Sequence, residues 1–570
     1  MNIGNCMGLW ASKVGEADSI AIRKAIESGE TDKLADAFYC DLAFGTGGLR
    51  GKLGIGPNRM NRFTVGKATQ GLADYLNSRF ESPSVVLCRD SRNGGEEFVR
   101  RAAEVFSANG VTVFIFPRIE PTPALSFAVR DLGCSAGINI TASHNPAEYN
   151  GYKVYGPDGC QITVEMAEDI QAHIDSVDIF DGVKRTSFSN AERLGLISYV
   201  EEGVIDRYCE AVLCQSTGVE CSDLSVVYTP LNGAGLECVL RVLKRVGIEK
   251  IDLVQEQTQP NGDFPSCPYP NPEVREALSL GLSLCDLVHP DLLLATDPDA
   301  DRVGIAVHHE GDYRLLSGNE VGLLLLDYLA SRAIAKKGDI SGKVAMSTIV
   351  STPMADDIAL EYGFELRRTL TGFKFIGEQL GLLDAEGRAA DFLFGFEESY
   401  GYLTGTYVRD KDAVVASMLI CELASWWKGR GFDLYEAMQM LYERYGFWAS
   451  ELLSVSYEGP NGAKLMRAIM HDLRASSPVK LADLSVESSV DYSAGAPMPV
   501  VNTRDCSRKQ ELPKSDVMEF RLLGGSRILI RPSGTEPKIK AYVFARGETL
   551  LAAKELLFKL VASANELLRP

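Results

Sequence analysis

The feature that most constrains this chain is the repeated alternation of short β-branched runs with helix-length amphipathic segments. Residues 85–88, 111–116, 137–140, 225–228, 292–295, 304–307 and 343–348 read as strands. Between them, stretches such as 94–109 and 319–336 carry apolar residues at helical spacing. A chain patterned this way builds βαβ units and hence layered α/β domains. At ~150 residues per domain, its 570 residues allow about four of them. Seams near 214–223, 309–313 and 447–461 give expected domains 1–215, 216–312, 313–448 and 449–570. The polar stretch 476–516, rich in Ser and Pro, is expected to hold loops around short elements. The last hundred residues differ: strand-like 527–530 and 539–545 flank a Pro/Gly loop. A closing helix then places Leu550, Ala553, Leu557, Leu560, Ala564 and Leu567 on one face. The expected fold is therefore α/β, with three mixed three-layer domains and a smaller C-terminal α+β domain.

Charge and cysteine usage narrow the function class. Lys and Arg number 58 against 77 Asp and Glu, a formal charge of −19. That balance excludes nucleic-acid and polybasic membrane binders, which need surplus cations against phosphate. Hydrophobic content of 45% is ordinary for a globular chain, so long disorder is not expected. The 13 cysteines are odd in number, scattered, and without C-x-x-C spacing, as in a reducing, cytoplasmic setting. The opening residues Met1 to Cys6 lead into no apolar signal region. The most apolar runs, 321–330 and 413–427, are interrupted by Asp327 and Glu422, short of the ~20 residues a membrane crossing needs.

Four loops carry chemistry. Thr141-Ala142-Ser143-His144-Asn145-Pro146 follows an apolar strand, placing a hydroxyl at a sheet's carboxyl end, where α/β folds keep their sites. The same residues also suit a polar turn with a capping serine. A Ser-His-Asp hydrolase is disfavoured: no G-x-S-x-G surrounds Ser143, and His144, its neighbour in sequence, is expected to be poorly placed as its base. In Asp297-Pro298-Asp299-Ala300-Asp301-Arg302, three carboxylates at alternate positions can converge on one hard cation such as Mg²⁺. Counted from Asp297 as an EF-hand, position 6 is Arg302 and position 12 is His308, so that calcium loop fails. A solvated acidic turn is the plain alternative.

Gly395-Phe396-Glu397-Glu398-Ser399-Tyr400-Gly401 offers carboxylates and a hydroxyl to a polyol, or is a simple turn. Arg531-Pro532-Ser533-Gly534-Thr535-Glu536-Pro537-Lys538 is a compact anion cradle, or a hairpin with a charged rim. The glycine-rich 44–51 adds Arg50 but lacks the Walker ending, and Leu370-Thr371-Gly372-Phe373-Lys374 adds a lone lysine.

In this order, from residue 44 to residue 538, these segments closely resemble the α-D-phosphohexomutase superfamily. F-G-T-G-G-L-R-G, T-L-T-G-F-K and the Y-G-Y after E-E-S are more similar to the phosphoglucomutase and phosphopentomutase-like branch than to phosphomannomutases. The resemblance implies four domains around a central cleft. It implies a phosphoserine at Ser143, which also gives an oxygen to a Mg²⁺ held by Asp297, Asp299 and Asp301. Arg50, Lys153 and His144 would lie near the proton transfers. Glu397 and Ser399 would grip sugar hydroxyls, with Lys374 and Arg302 also on the substrate. Arg531, Ser533, Gly534, Thr535 and Lys538 would hold the unreacting phosphate.

The implied reaction is the interconversion of glucose 1-phosphate and glucose 6-phosphate, with glucose 1,6-bisphosphate as intermediate and activator. Pentose or mannose phosphates, and bisphosphate synthesis from a separate donor, use the same loops. Small-molecule sugar phosphates are the expected partners, and the expected assembly is a monomer or small homo-oligomer. One departure stands out: Thr229-Pro230-Leu231-Asn232-Gly233 carries Asn where the branch usually has His, which removes any proton-transfer role there.

Overall fold

A computed structural model describes residues 3–28, 32–45, 47–457, 462–503, 511–533 and 538–569. The chain folds as two compact units, the first of residues 1–316, 377–389 and 401–426, the second of 317–376, 390–400 and 427–570.

The first unit contains two mixed sheets. In one, the strands lie in the order Leu49–Lys52, Tyr149–Tyr155, Ala136–Ile140, Ser84–Arg89, Thr112–Ile115, Ile197–Tyr199. Ser84–Arg89 is parallel to both Ala136–Ile140 and Thr112–Ile115, while Tyr149–Tyr155 returns antiparallel and so forms one wall beside the serine loop. Helix Gly95–Ala108 packs on this sheet and helix Arg62–Arg79 packs beside it, and Ala136–Ile140 is buried along its whole length. Such two-sided burial suits its mostly apolar run, in which the one polar member, Asn139, donates to Thr122 Oγ1 at 2.7 Å; each large aliphatic side chain there, such as Ile138, contributes about 1.5–3 kcal/mol. Asn61 and Thr64 form a capping box that starts helix Arg62–Arg79.

The second sheet runs Asp312–Leu316, Val303–His309, Leu292–Thr296, Ser225–Thr229, Lys250–Leu253. Strand Asp312–Leu316 belongs to it through antiparallel pairing with Val303–His309, so this sheet continues past the seam expected at 312. An N-terminal helical cluster packs Trp10 edge-on against Phe38 and Phe63.

The second unit holds strands Phe392–Glu397, Val344–Thr348, Glu365–Thr369 and Val500–Val501 side by side in that order. Helix Gly318–Lys337, opened by a Ser317/Glu320 capping box, packs on them. Its other sheet is antiparallel: Phe447–Ser456, Lys538–Gly547, Arg527–Pro532, Met518–Leu522, Leu484–Asp491, Lys480–Leu481. Helix Leu550–Leu567 covers it with Ala553, Leu560 and Ala564 buried. Two expectations change here. Residues 447–461, read as a seam, contain the ten-residue strand Phe447–Ser456, and the polar stretch 476–516 contains the eight-residue strand Leu484–Asp491. Both are largely exposed, which is why neither carries an apolar pattern. Among the described residues, no helix is long and apolar enough to cross a membrane.

Candidate active site

Ser143 lies just beyond strand Ala136–Ile140, and the aspartate loop just beyond Leu292–Thr296, so both start at carboxyl ends of central strands. Ser143 adopts φ 53°, a left-handed conformation uncommon for a residue with a Cβ. The surroundings over-determine it. Its N–H donates to Thr141 Oγ1 at 2.8 Å, and Thr141 Oγ1 donates to Asp90 Oδ2 at 2.6 Å. Arg92 donates to the carbonyl oxygens of Ser143, Asn145, Pro146 and Tyr149. Burial pushes the Asp90 carboxyl up to about 6, opposed by Arg92. Gly151 allows the neighbouring strand to approach, since a Cβ there would lie 2.4 Å from the Thr141 carbonyl oxygen.

The Ser143 hydroxyl donates to Asp297 Oδ2 at 2.8 Å. Asp297, Asp299 and Asp301 are all buried, and one ligand oxygen from each lies within 4.8 Å of the others. Lys153 Nζ sits 2.7 Å from Asp299 Oδ2 and 3.4 Å from Asp301 Oδ2, while Lys411 Nζ is 2.9 Å from Asp301 Oδ2. Three carboxylates therefore face two ammonium groups, with the Arg302 guanidinium at their edge. The electrostatics divide the triad unequally. Burial and the neighbouring Asp299 and Asp301 push the Asp297 carboxyl well above the usual range. Burial also works against ionised Asp299, but Lys153 overrides it and holds that carboxyl well below its ordinary value.

Asp299 Oδ1 and Asp301 Oδ1 are buried without a hydrogen-bond partner. Buried, unsatisfied carboxylate oxygens are costly unless a cation takes them up. The donor set is all oxygen, which fits Mg²⁺. Thr122 secures the loop from below, donating through its N–H to the Asp299 carbonyl at 2.8 Å and through Oγ1 to Asp299 Oδ2 at 2.9 Å.

The remaining predicted residues of the first unit surround this centre. His144 Nδ1 is 3.1 Å from Ser143 Oγ, so adjacency in sequence does not keep it from the hydroxyl, contrary to expectation. Burial, with Arg302 and Arg50 nearby, lowers its pKa well below 6.5, leaving a neutral imidazole. Arg50 is exposed and donates to Asn145 Oδ1 at 3.3 Å. Arg302 donates to Glu273 Oε1 at 2.9 Å, with its Nε 3.8 Å from Asp301 Oδ1.

In the second unit, Glu397 ends strand Phe392–Glu397 and is buried, while Ser399 is half-buried in the turn after it. Glu398 accepts from Thr348 Oγ1 at 2.9 Å, so the neighbouring carboxylate anchors the turn. Gly318 presses onto that turn, where a Cβ would meet the Glu398 carbonyl oxygen at 2.2 Å. Arg531, Ser533 and Lys538 are half-buried at the facing ends of two paired strands, and Gly534 and Thr535 lie outside the described residues. The phenol of Tyr542 is raised by burial and by Glu398, and lowered by Arg531, with Glu397 also within its field. Arg531 and the turn after Glu397 are thus neighbours in one unit. Lys374 is half-buried, its Nζ 4.7 Å from the Phe375 ring centre.

Sequence reasoning missed Arg92, Thr122, Lys411 and Tyr542. Lys411 lies in a run of four buried charges, Arg409 to Asp412, and so many charges in a strap between apolar segments was an available signal. The others carried none. Asn232, the departure from pattern, adopts φ 58° and donates to the carbonyls of Glu256 and Gln259; it holds a loop.

Comparison with known proteins agrees with this geometry. Residues 41–179, 206–311 and 317–445 match the phosphoglucomutase/phosphomannomutase α/β/α domains I, II and III respectively. A phosphoglucomutase of Staphylococcus aureus is 35% identical over 536 residues, 94% of each chain. Among solved structures, a putative phosphomannomutase from Thermus thermophilus shares the fold at TM-score 0.68 and 22% identity, covering 93% of this chain and 99% of that one. The open form of parafusin, a phosphoglucomutase from Paramecium, does so at 0.67 and 19%, covering 93% and 95%. The chain belongs to the phosphoglucomutase/phosphomannomutase family of the α-D-phosphohexomutase superfamily, on its phosphoglucomutase-like side, and is an enzyme of that intramolecular phosphotransferase class.

Proposed function

We propose that this enzyme interconverts glucose 1-phosphate and glucose 6-phosphate, with Mg²⁺, through phospho-Ser143 and glucose 1,6-bisphosphate. The observation that carries the reading is the Ser143 hydroxyl 2.8 Å from Asp297 within a buried aspartate triad. The phosphoglucomutase relatives support glucose as the sugar. When bound by Asp297, Asp299, Asp301 and a phosphoserine oxygen, Mg²⁺ neutralises charge on the transferring phosphoryl group.

The protein's own residues do the rest. Phospho-Ser143 gives its phosphoryl group to the free hydroxyl of a sugar monophosphate: the Oγ–P bond breaks, a sugar O–P bond forms, and the hydroxyl proton leaves to a base. His144, Lys153 and Arg50 are the candidates for moving that proton. The bisphosphate turns over, and its other phosphate returns to Ser143. Glu397 and Ser399 hold hydroxyls, Lys374 and Arg302 contact the substrate, and Arg531, Ser533, Gly534, Thr535 and Lys538 hold the idle phosphate. Because the sugar is read twice in opposite orientations, the phosphate loop must accept either phosphate. Loss of the bisphosphate would strand the enzyme dephosphorylated, so glucose 1,6-bisphosphate should activate it. We place the enzyme in the cytoplasm, in keeping with twelve described cysteines that are all free.

The test is intact-mass analysis with peptide mapping, beside a coupled mutase assay on hexose and pentose 1-phosphates. A phosphate on Ser143 and fastest turnover of glucose 1-phosphate are expected. A protein that never carries phosphate there while Ser143→Ala turns over normally would refute the mechanism.

A further inference from the structure

The Ser143 loop is held from beneath by a side chain to which the proposed reaction assigns no step. Arg92 is fully buried, paired with Asp90 at 3.3 Å, and its guanidinium donates to four carbonyls of the serine loop and its exit, those of Ser143, Asn145, Pro146 and Tyr149. No other residue type presents a planar fork of donors able to satisfy so many oxygens at once. The free face of that guanidinium lies over the Phe264 ring, 5.1 Å from its centre.

Phe264 comes from the other sheet's domain and is itself fixed. It adopts φ 43° and its N–H donates to the Asn261 carbonyl at 3.3 Å. Asn261 N–H donates in turn to the Asn232 carbonyl at 3.3 Å, and the Asn232 amide holds the carbonyls of Glu256 and Gln259 at 3.2 and 2.8 Å. Asn93, next to Arg92, donates to Asp263 at 2.6 Å. The same segment therefore runs from Asn232, beside the aspartate loop, to the ring under Arg92. Gly233 confirms the first contact, since a Cβ there would meet Pro298 Cα at 2.4 Å.

We propose that Arg92, braced by Phe264 and the 256–264 loop that Asn232 holds, is the positioning residue that keeps the left-handed Ser143 aimed at the aspartate triad. Asn232 then acts as a loop anchor, a role that its carboxamide fills and that needs no titrating group. The proposal rests on Ser143 being the reacting group.

The experiment compares Arg92→Ala, Arg92→Lys, Phe264→Leu and Ser143→Ala in the full chain, with Mg²⁺ and glucose 1,6-bisphosphate present. Misplacing a reacting group by about 1 Å costs about 10²-fold in rate, so kcat of Arg92→Ala should fall by about that factor while KM for glucose 1-phosphate changes less than about twofold. Lysine cannot reproduce the fork and should stay low, whereas added methylguanidinium should restore Arg92→Ala by about tenfold without affecting the lysine variant. A purely packing role would not give rescue by a soluble guanidinium. Phe264→Leu, which keeps apolar volume, should lose about threefold to thirtyfold in kcat and raise amide hydrogen exchange in residues 142–146. If Arg92→Ala does not fold, Phe264→Leu decides by those two readouts. Wild-type kcat in Arg92→Ala, or unchanged kcat and exchange in Phe264→Leu, overturns the proposal. Should Ser143→Ala be inactive while the others match wild type, only the positioning role fails; an active Ser143→Ala removes the mechanism beneath it.

Discussion

The serine–aspartate cluster of the first unit and the candidate loops of the second differ in burial. In the first, Ser143, Lys153, Asp297, Asp299 and Asp301 are each less than 5% exposed and are committed to one another. In the second, Arg531, Ser533, Lys538, Lys374 and Ser399 are half-buried, and only Glu397 is buried. On the proposed function, the contrast separates two tasks. Stabilising charge that develops during phosphoryl transfer demands groups fixed beforehand and shielded from water, because reorganisation during the reaction is what slows it. Recognising a sugar that must present either end demands accessible donors that tolerate both. Damage to the first set should therefore appear in kcat, and damage to the second in KM.

The largest expected effect is that of Ser143→Ala, which should lower kcat by about 10⁴-fold or more, as loss of a covalent nucleophile does; steady-state turnover with bisphosphate present is the measurement. Next come metal removal and Asp299→Ala. Each should cost about three powers of ten, matching the several kcal/mol a Lewis acid supplies, and Mg²⁺ titration should restore the EDTA-treated wild type but not the variant. Full rate without a divalent ion would end the metal assignment.

Arg531→Ala should raise KM about 10- to 100-fold, the value of one charge-assisted phosphate contact, with kcat within a few-fold. A fall in kcat at constant KM would break the division between the units, since it would make the second a part of the chemistry. The smallest effect concerns Asp412, a fully buried carboxyl raised to about 6 by burial, against hydrogen bonds from Tyr407 and Tyr208. In that window above its ordinary value the folded chain keeps a proton that the unfolded chain has lost, so this group's contribution falls as pH rises towards 6 and is lowest above it. Thermal unfolding should show the melting temperature of wild type minus Asp412→Asn larger near pH 5 than near pH 7. A difference that does not change with pH would mean that Asp412 is not raised.

Much of the candidate site was legible because each candidate loop is contiguous in sequence. Three aspartates at alternate positions, or Arg531 to Lys538, carry their chemistry in their spacing. Lys411 is invisible to such reading: it reaches Asp301 from far along the chain, through a strap whose destination only folding decides. Arg92 is likewise unmarked, since its partners are backbone carbonyls, which every residue has. Apolar runs marked several buried strands, as in Leu292–Thr296, but the equally buried Phe392–Glu397 lies partly in what reads as a loop, and in Leu484–Asp491 exposed positions break the pattern.

The backbone angle of Ser143 also decides which alcohol this fold can use. Threonine carries the same hydroxyl and would serve as a phosphate acceptor by chemistry alone. At φ 53°, however, its second Cβ substituent crowds the backbone, and a β-branched residue there is a genuine outlier. Glycine would sit comfortably but has no oxygen to offer. On the proposed mechanism, serine accepts the turn and still offers a hydroxyl, so the local geometry and not the reaction favours it over threonine.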